Sequence, residues 1–363
     1  MASADYQIRP FAPGDRDDWL ELYATVHGNT PSTDWFSWKY VDNPFCSEVP
    51  IFVAERNGRL VGSRPLFVLP IRYGDWSGLG FEHADAMVHP DHRREGVFTA
   101  LVEAAIDYYG ERDAAFFFSF PNPKSGGAHL KLGAIRVGTV PEAVRINRPG
   151  TSLAAHASIE PLPWIDPIVH RVSNVRDTLL ALTRPLPAGI TTRIKQGVCV
   201  DEVAALYRSA VPETLHTERS EAFLEWRFRN PQWTYYTLLG EFDSAPVAGL
   251  IVGFQSRPDG RSLVRITDIL PLTQTWQRDV VLETLIGDVI AGFDSADVFL
   301  APLTALPAQI ASRWGLYDKG RWPLARLSME TALLVHPLDG VPNDVPLTSW
   351  DQWDPTFVEY DTA

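Results

Sequence analysis

Arg93, Arg94 and Gly96 lie within Ala86–Tyr109, AMVHPDHRREGVFTALVEAAIDYY, and together suit an anion. An apolar strand end (Ala86, Met87, Val88) is stopped by Pro90, and the polar loop Asp91-His92-Arg93-Arg94-Glu95-Gly96 follows. Phe98, Leu101, Val102, Ala105 and Tyr109 then recur with helical spacing, which predicts one amphipathic helix closed by Gly110. The first N–H groups of a helix have no intrahelical partner, and its macrodipole adds partial positive charge there. Gly96 lets a phosphate approach the backbone with no Cβ in the way. The two arginines add full charges. The competing reading is a solvated pair of loop arginines.

Titratable groups flank this stretch. Glu82, His83 and Asp85 lie on the strand that enters it, and the period of two puts His83 and Asp85 on one face and Glu82 on the other. Downstream, Asn122 and Ser125 punctuate a loop, and His129 sits in His129-Leu130-Lys131-Leu132-Gly133. A histidine that titrates near neutrality is a competent acid. One that faces solvent beside Lys131 is not needed for chemistry.

The elements that must position these groups can be read in order. Asp5–Val26 reads as a short strand (Tyr6–Arg9), a polar turn and a helix carrying Trp19, Leu20, Leu22 and Tyr23. A connector with Trp35, Phe36, Trp38 and Tyr40 leads to Asn43-Pro44. Asn57-Gly58 predicts a hairpin between Ile51–Glu55 and a long strand over Arg59–Arg72. Ala114–Phe120 is a buried strand broken by Pro121-Asn122-Pro123, and Ser125 can cap a short helix ended by Gly133.

The second half repeats the first. Ile194–Val211 resembles Ile8–Val26, and Trp226-Arg227-Phe228 with Asn230-Pro231 echoes Trp38-Lys39-Tyr40 with Asn43-Pro44. Gly249 echoes Gly62, Asp268-Ile269-Leu270 echoes Asp85-Ala86-Met87, and Trp314-Gly315 echoes Leu132-Gly133. A near-constant offset over this length indicates internal duplication. Counting from the paired aspartates sets Asp279 at the place of Gly96, with Trp276 and Gln277 at the arginine positions. A carboxylate there repels a phosphate, so the second copy is expected to bind no such ligand. Asn147–Gly189 is Pro-rich with a helical stretch near Asp166–Leu182, a packed connector.

Val88-x-Pro90-x-x-Arg93-x-x-Gly96-Val97-Phe98 resembles the acyl-CoA signature of the GNAT N-acetyltransferase superfamily, Arg/Gln-x-x-Gly-x-Gly/Ala, with Phe98 where the family usually has Gly or Ala. The resemblance implies an α/β fold with a mixed α+β sheet, here two tandem GNAT-like folds. It sets residues 1–149 as the N-terminal domain, 150–190 as the connector and 191–335 as a degenerate C-terminal copy; residues 336–363 are an unplaced tail. It implies acetyl-CoA or another acyl-CoA as donor. Arg93, Arg94, Glu95, Gly96, Val97, Phe98 and Thr99 would hold the cofactor, and the backbone of Met87 and Val88 would hold the pantetheine arm and polarise the thioester carbonyl. Asn122 and Ser125 are further cofactor contacts, or only loop punctuation and a helix cap.

Transfer to an amine needs a base for its proton, a donor for the oxyanion and help for the departing thiolate. The family often uses a Glu on the strand entering the motif, sometimes through water, which implies Glu82. Asp85 and His83 are alternatives, and the match of Asp268 to Asp85 favours a structural Asp85. The family often places a Tyr where His129 stands, which makes His129 the candidate acid. The aromatic run Trp35–Tyr40 could line an acceptor pocket, but its repetition as Trp226 and Phe228 favours core packing.

Composition bounds the partners. The chain has 363 residues, 45% of them hydrophobic, with 45 acidic against 32 basic residues and a net charge of −13. That argues against nucleic acid and anionic membranes as general partners. No stretch is long and apolar enough to span a bilayer, and no signal peptide is visible. Cys46 and Cys199 lack metal-type spacing, so a cytoplasmic protein without a metal is expected. The scarcity of lysine fits either a salt-rich cytoplasm or a GC-rich genome. The expectation is an N-acetyltransferase acting on a small-molecule amine through its N-terminal copy. Amino sugars, antibiotics and protein N-termini also fit as acceptors. The alternatives are an aminoacyl-type transferase and a non-catalytic CoA- or metabolite-binding protein.

Overall fold

The structure is a computed structural model that describes residues 6–112, 114–121, 125–150, 164–183, 188–257, 259–322, 324–326 and 328–361. The first repeat opens with β1 (Gln7–Pro10) and α1 (Arg16–His27), which buries Trp19 and Leu22 and ends at Gly28 in the left-handed region. The short α2 (Thr33–Phe36), capped by the Ser32 hydroxyl, runs into a π-type turn over Ser37–Val41. Next come β2 (Ile51–Arg56), β3 (Arg59–Tyr73), β4 (Trp76–His83) and β5 (Met87–Val88). The helix expected after the arginine loop is α3 (Val97–Gly110), followed by β6 (Ala114–Ser119), α4 (Gly126–Lys131) and β7 (Ile135–Thr139).

After β8 (Glu142–Ile146), the connector forms α5 (Asp166–Thr183). The second repeat runs β9 (Ile190–Gln196), α6 (Val200–Ser209), β10 (His216–Thr217), α7 (Glu221–Arg227), β11 (Thr234–Phe242) and β12 (Ala245–Ser256). It continues with β13 (Ser262–Leu270), α8 (Trp276–Gly292), β14 (Val298–Pro302), α9 (Ala308–Arg313) and β15 (Tyr317–Asp318), and β16 (Ala332–Pro337) comes last. The helix α9 ends in Trp314-Gly315, with Gly315 left-handed as Gly133 is after α4, so this echo is structural.

Two mixed sheets result; the first takes β10 and β16 from the second half of the chain, and the second takes β8 from the first half. The first runs β1-β2-β3-β4-β6-β16-β7, with β5 and β10 also on β3; the second runs β15-β8-β14-β13-β12-β11-β9. Strand β16 therefore lies between β6 and β7, antiparallel to both, while β8 lies in the second sheet beside β14. Strands β8 and β16 thus cross the expected limits at 149 and 335, because a strand joins the sheet whose edge it meets, whatever its place in the chain. The exchange ties the repeats together through backbone hydrogen bonds.

One expected equivalence fails by a single residue. A Cβ on Gly62 would meet Val97 and Leu101 of α3, whereas a Cβ on Gly249 would meet Leu206 of α6. The two glycines face opposite layers, since one residue of slip along a strand turns every side chain over. The aromatic run is core, with Trp35, Phe36, Trp38 and Tyr40 all buried. The tail is placed as well. Trp353, Phe357 and Val358 are buried, and before β10 the Leu215 N–H donates to the Gln352 carbonyl while the Asp354 N–H donates to the Leu215 carbonyl.

Candidate active site

Strands β4 and β6 are parallel and pair from Leu79–Ala114 to Glu82–Phe118. Past Glu82 the chain turns at Asp85, whose φ is +34°, and β5 returns to pair with Gly62 and Ser63 of β3. The parallel strands therefore part, and a cleft of about 500 Å³ opens between them. Glu82, His83, Asp85, Met87, Val88 and Arg93 line it from the β4 side. Phe98, Ser125 and His129 line it from α3 and α4.

The start of α3 forms its open end. Gly96, at the N-cap, has φ +86° and no side-chain cap, which leaves the first N–H groups of the helix to a ligand. A Cβ there would meet nothing within 4 Å, so the left-handed backbone rather than crowding calls for glycine. Arg93, Arg94, Glu95, Gly96 and Thr99 are exposed around it, and Arg93 Nε donates to the Val88 carbonyl at 3.2 Å. Two of the expected contacts are occupied otherwise. Glu95 accepts from the Tyr6 hydroxyl and lies 3.7 Å from Arg56, and Val97 is buried under Gly62, so only its backbone is on offer. Ser125 sits at the N-cap of α4, and Asn122 lies outside the described residues.

The three candidates on the incoming strand separate into distinct environments. Glu82 is 2% exposed, and its Oε2 has no hydrogen-bond partner. Burial, helped by the Asp361 charge, holds its carboxyl well above the usual range against the pull of Lys39 and Arg227. Asp85 accepts from Lys39 Nζ at 2.6 Å and from the Tyr40 hydroxyl at 2.5 Å. Burial opposes its ionisation, but the Lys39 charge and these hydrogen bonds outweigh that and hold its carboxyl low. His83 stacks on Phe117 at 5.3 Å and faces His129, on the opposite side of the sheet from Asp85's partners. The alternation expected to pair His83 with Asp85 is broken by the positive φ at Asp85, which turns that side chain towards Lys39.

His129 is 4% exposed rather than solvated. Its Nε2 lies 3.0 Å from the Arg64 guanidinium, which also donates to His83 Nδ1 at 3.0 Å. A guanidinium has only donors, so both imidazoles are neutral acceptors. Burial first, then the Arg64 and His336 charges, lower the pKa of His129 to about 3. The acid expected to titrate near neutrality does not do so.

Sequence reasoning missed Lys39, Asp361 and Arg64. Lys39 is 1% exposed beneath the cleft and donates to Asp361 at 3.0 Å as well as to Asp85. A lone lysine in an aromatic run was the available sign. Asp361 reaches the cleft from the far end of the chain and carried no local sign.

Residues 7–128 match the acetyltransferase (GNAT) domain family. The N-terminal repeat belongs to the GNAT acetyltransferases. Solved structures share the fold over nearly the whole chain. A GCN5-related N-acetyltransferase from Anabaena variabilis ATCC 29413 aligns with a TM-score of 0.57 at 12% identity, covering 91% of this chain and 72% of that one. A tandem GNAT protein from the clavulanic acid biosynthesis pathway aligns at 0.54 and 14%, covering 94% and 100%. Saccharomyces cerevisiae N-myristoyltransferase with bound myristoyl-CoA aligns at 0.60 and 11%, covering 96% and 84%. At these identities the likeness is one of fold. No curated protein matches the sequence.

The two GNAT-like repeats differ at the helix start. In the second, Thr275 rather than Asp279 occupies the N-cap, so the loop before α8 is shorter than the count from the aspartates implied. The Thr275 hydroxyl accepts from the Arg278 N–H, which fills a group that Gly96 leaves open. Asp279 lies in the first turn, and Arg278 pairs with it while bonding the carbonyls of Pro271 and Ala305. The tail covers the neighbouring strand end. Thr356 Oγ1 donates to Asp268 at 3.0 Å, Arg265 lies over the Phe357 ring, and Arg219 ties Asp268, Thr356 and Glu359 together.

Proposed function

We propose that the N-terminal GNAT repeat binds acetyl-CoA and transfers its acetyl group to a small-molecule amine by direct attack. One observation carries this reading. The cleft joins an uncapped, arginine-flanked helix start on one face of the sheet to a buried, unpartnered carboxyl oxygen of Glu82 on the other. The phosphates would lie at Gly96 and Arg93, and the pantetheine arm would run along Met87 and Val88 where β4 and β6 part. The amine would approach from the Glu82 side, which is also the side of Lys39 and Asp361.

Glu82 suits a base, because a carboxyl with a raised pKa binds an amine proton more firmly than an ordinary carboxylate. Asp85 is a poorer choice, since Lys39 and Tyr40 already engage it, and its place is to hold Lys39 beneath the cleft. In the second repeat the capped helix start, Asp279 and the tail over Asp268 support a non-binding partner domain. The absence of a neutral-range acid at His129 and the Phe98 ring in the cleft favour one rival, a protein that binds CoA without turning it over.

Calorimetric titration of acetyl-CoA into the native protein and Gly96→Asp, followed by an amine panel scored for thiol release, tests the reading. One site per chain, lost in the variant, with turnover of an amine is expected. Binding without turnover of any amine would leave the binding protein as the better reading. No binding at all would overturn the assignment.

A further inference from the structure

Several buried cations of this chain form ion pairs with carboxylates, whereas among the described residues Arg64 forms none. Lys39 has Asp85 and Asp361, Arg145 has Asp177, and Arg219 has Asp268 and Glu359. Arg64 is 2% exposed and lines the cleft, yet among the described residues its hydrogen-bond partners are two neutral imidazoles, and the Phe98 ring lies 5.3 Å from its guanidinium carbon. A buried charge is costly unless an opposite charge meets it. Burial lowers the pKa of Arg64, but the side chain stays a cation at neutral pH. Its position is also specific. Arg64 and Gly62 share one face of β3, the face under α3, so the guanidinium lies on the donor side, opposite Glu82.

We propose that Arg64 is a catalytic residue that stabilises the thiolate leaving the thioester, in place of a proton donor. The inference rests on the acyl-CoA reading above. The amine nitrogen attacks the thioester carbonyl carbon and the C–N bond forms. Its proton goes to the Glu82 carboxylate, the C–S bond breaks, and the electron pair departs on sulfur as a thiolate paired with the guanidinium. The thiolate takes its proton from solvent after release, so no side chain has to supply one. His129 and His83 hold the guanidinium through their lone pairs and leave its remaining N–H groups for the cleft. Preorganised positive charge of this kind acts only as negative charge develops, which is what accelerates the chemical step.

The test compares two thioesters in native protein, Arg64→Met, Arg64→Lys and His129→Phe. Acetyl-CoA leaves a basic alkyl thiolate, whereas 4-nitrothiophenyl acetate leaves one that is stable without help. Arg64→Met is expected to lower kcat with acetyl-CoA by about 10²–10³-fold. Its loss with the aryl thioester should be far smaller, and acetyl-CoA affinity by calorimetry should change little. Arg64→Lys should fall between, and it keeps the comparison available if the methionine variant melts early. His129→Phe should cost less than Arg64→Met. Equal losses with both esters, or no loss with acetyl-CoA, would overturn the assignment while leaving the acyl-CoA reading intact. Failure of the native protein to bind acetyl-CoA would remove both.

Discussion

Trp38 and Trp226 exchange hydrogen bonds. The indole Nε1 of Trp38 donates to the Trp226 carbonyl at 2.8 Å, that of Trp226 donates to the Trp38 carbonyl at 2.7 Å, and the rings stack with centroids 6.2 Å apart. Equivalent residues of two repeats that contact each other reciprocally mark a local pseudo-twofold axis, the intramolecular form of an isologous interface. Replacing either by Phe removes one of these buried hydrogen bonds and should cost about 0.5–1.5 kcal/mol of unfolding free energy. In a double-mutant cycle the pair should be non-additive. Strict additivity would mean that the two bonds do not act together.

Lys39 should be the most sensitive single position in the first repeat. Lys39→Met leaves Asp85 and Asp361 close together and unpaired, and breaking a buried pair in this way costs about 3–5 kcal/mol. The denaturant midpoint should fall sharply at neutral pH and less at pH 4, where the carboxyls take up protons. An unchanged midpoint would rule out the buried ion pair.

Glu82→Gln should separate stability from activity. Transfer should drop by about 10²–10⁴-fold, the usual worth of a positioned base. The folded pKa of Glu82 is raised, so the native state keeps a proton that the unfolded chain releases above its ordinary pKa, and ionisation at Glu82 takes stability away as pH rises. The glutamine should therefore hold or raise the melting temperature at neutral pH. The activity of the native protein should climb with pH well above the ordinary carboxylate range. A profile that stays flat there would exclude Glu82 as the base.

Gly96→Ala and Gly96→Asp test the open helix start in two steps. Alanine at φ +86° meets no clash and pays only the left-handed backbone, about 1–2 kcal/mol. Aspartate adds a charge that repels phosphate. Acetyl-CoA affinity should fall by at least about tenfold further from Ala to Asp, since a 1.4 kcal/mol repulsion is already tenfold. Equal affinity in the two variants would move the phosphates elsewhere.

Acid should unfold the protein early. Burial lowers His129 and His216 to about 3, each beside an arginine. Below the ordinary histidine pKa the unfolded chain takes up protons that the folded one refuses, so stability falls as pH drops from about 6.5 towards 3. His216→Gln should flatten this slope in a series of chemical unfolding curves, while an unaltered slope would assign the acid sensitivity to other groups.

The sequence alone determined what local spacing encodes. The strand, arginine loop, glycine and helix of residues 86–109 are read from period and punctuation, because strand alternation, helix spacing and left-handed glycines act within a few residues. The duplication was legible for the same reason, as two copies of one local pattern. The tertiary structure decided everything that depends on meetings between distant residues. Lys39 joins Asp361 across 322 positions, Arg64 closes on His129 across 65, and β8 and β16 change sheets. Each of these meetings follows from which strand edges pair and where β4 and β6 part. Even Asp85, adjacent in sequence to the motif, changes face through one positive φ that no periodicity announces. The chemical character of the cleft belongs to that second class, since a carboxyl becomes a base or an ion-pair partner according to what is packed against it.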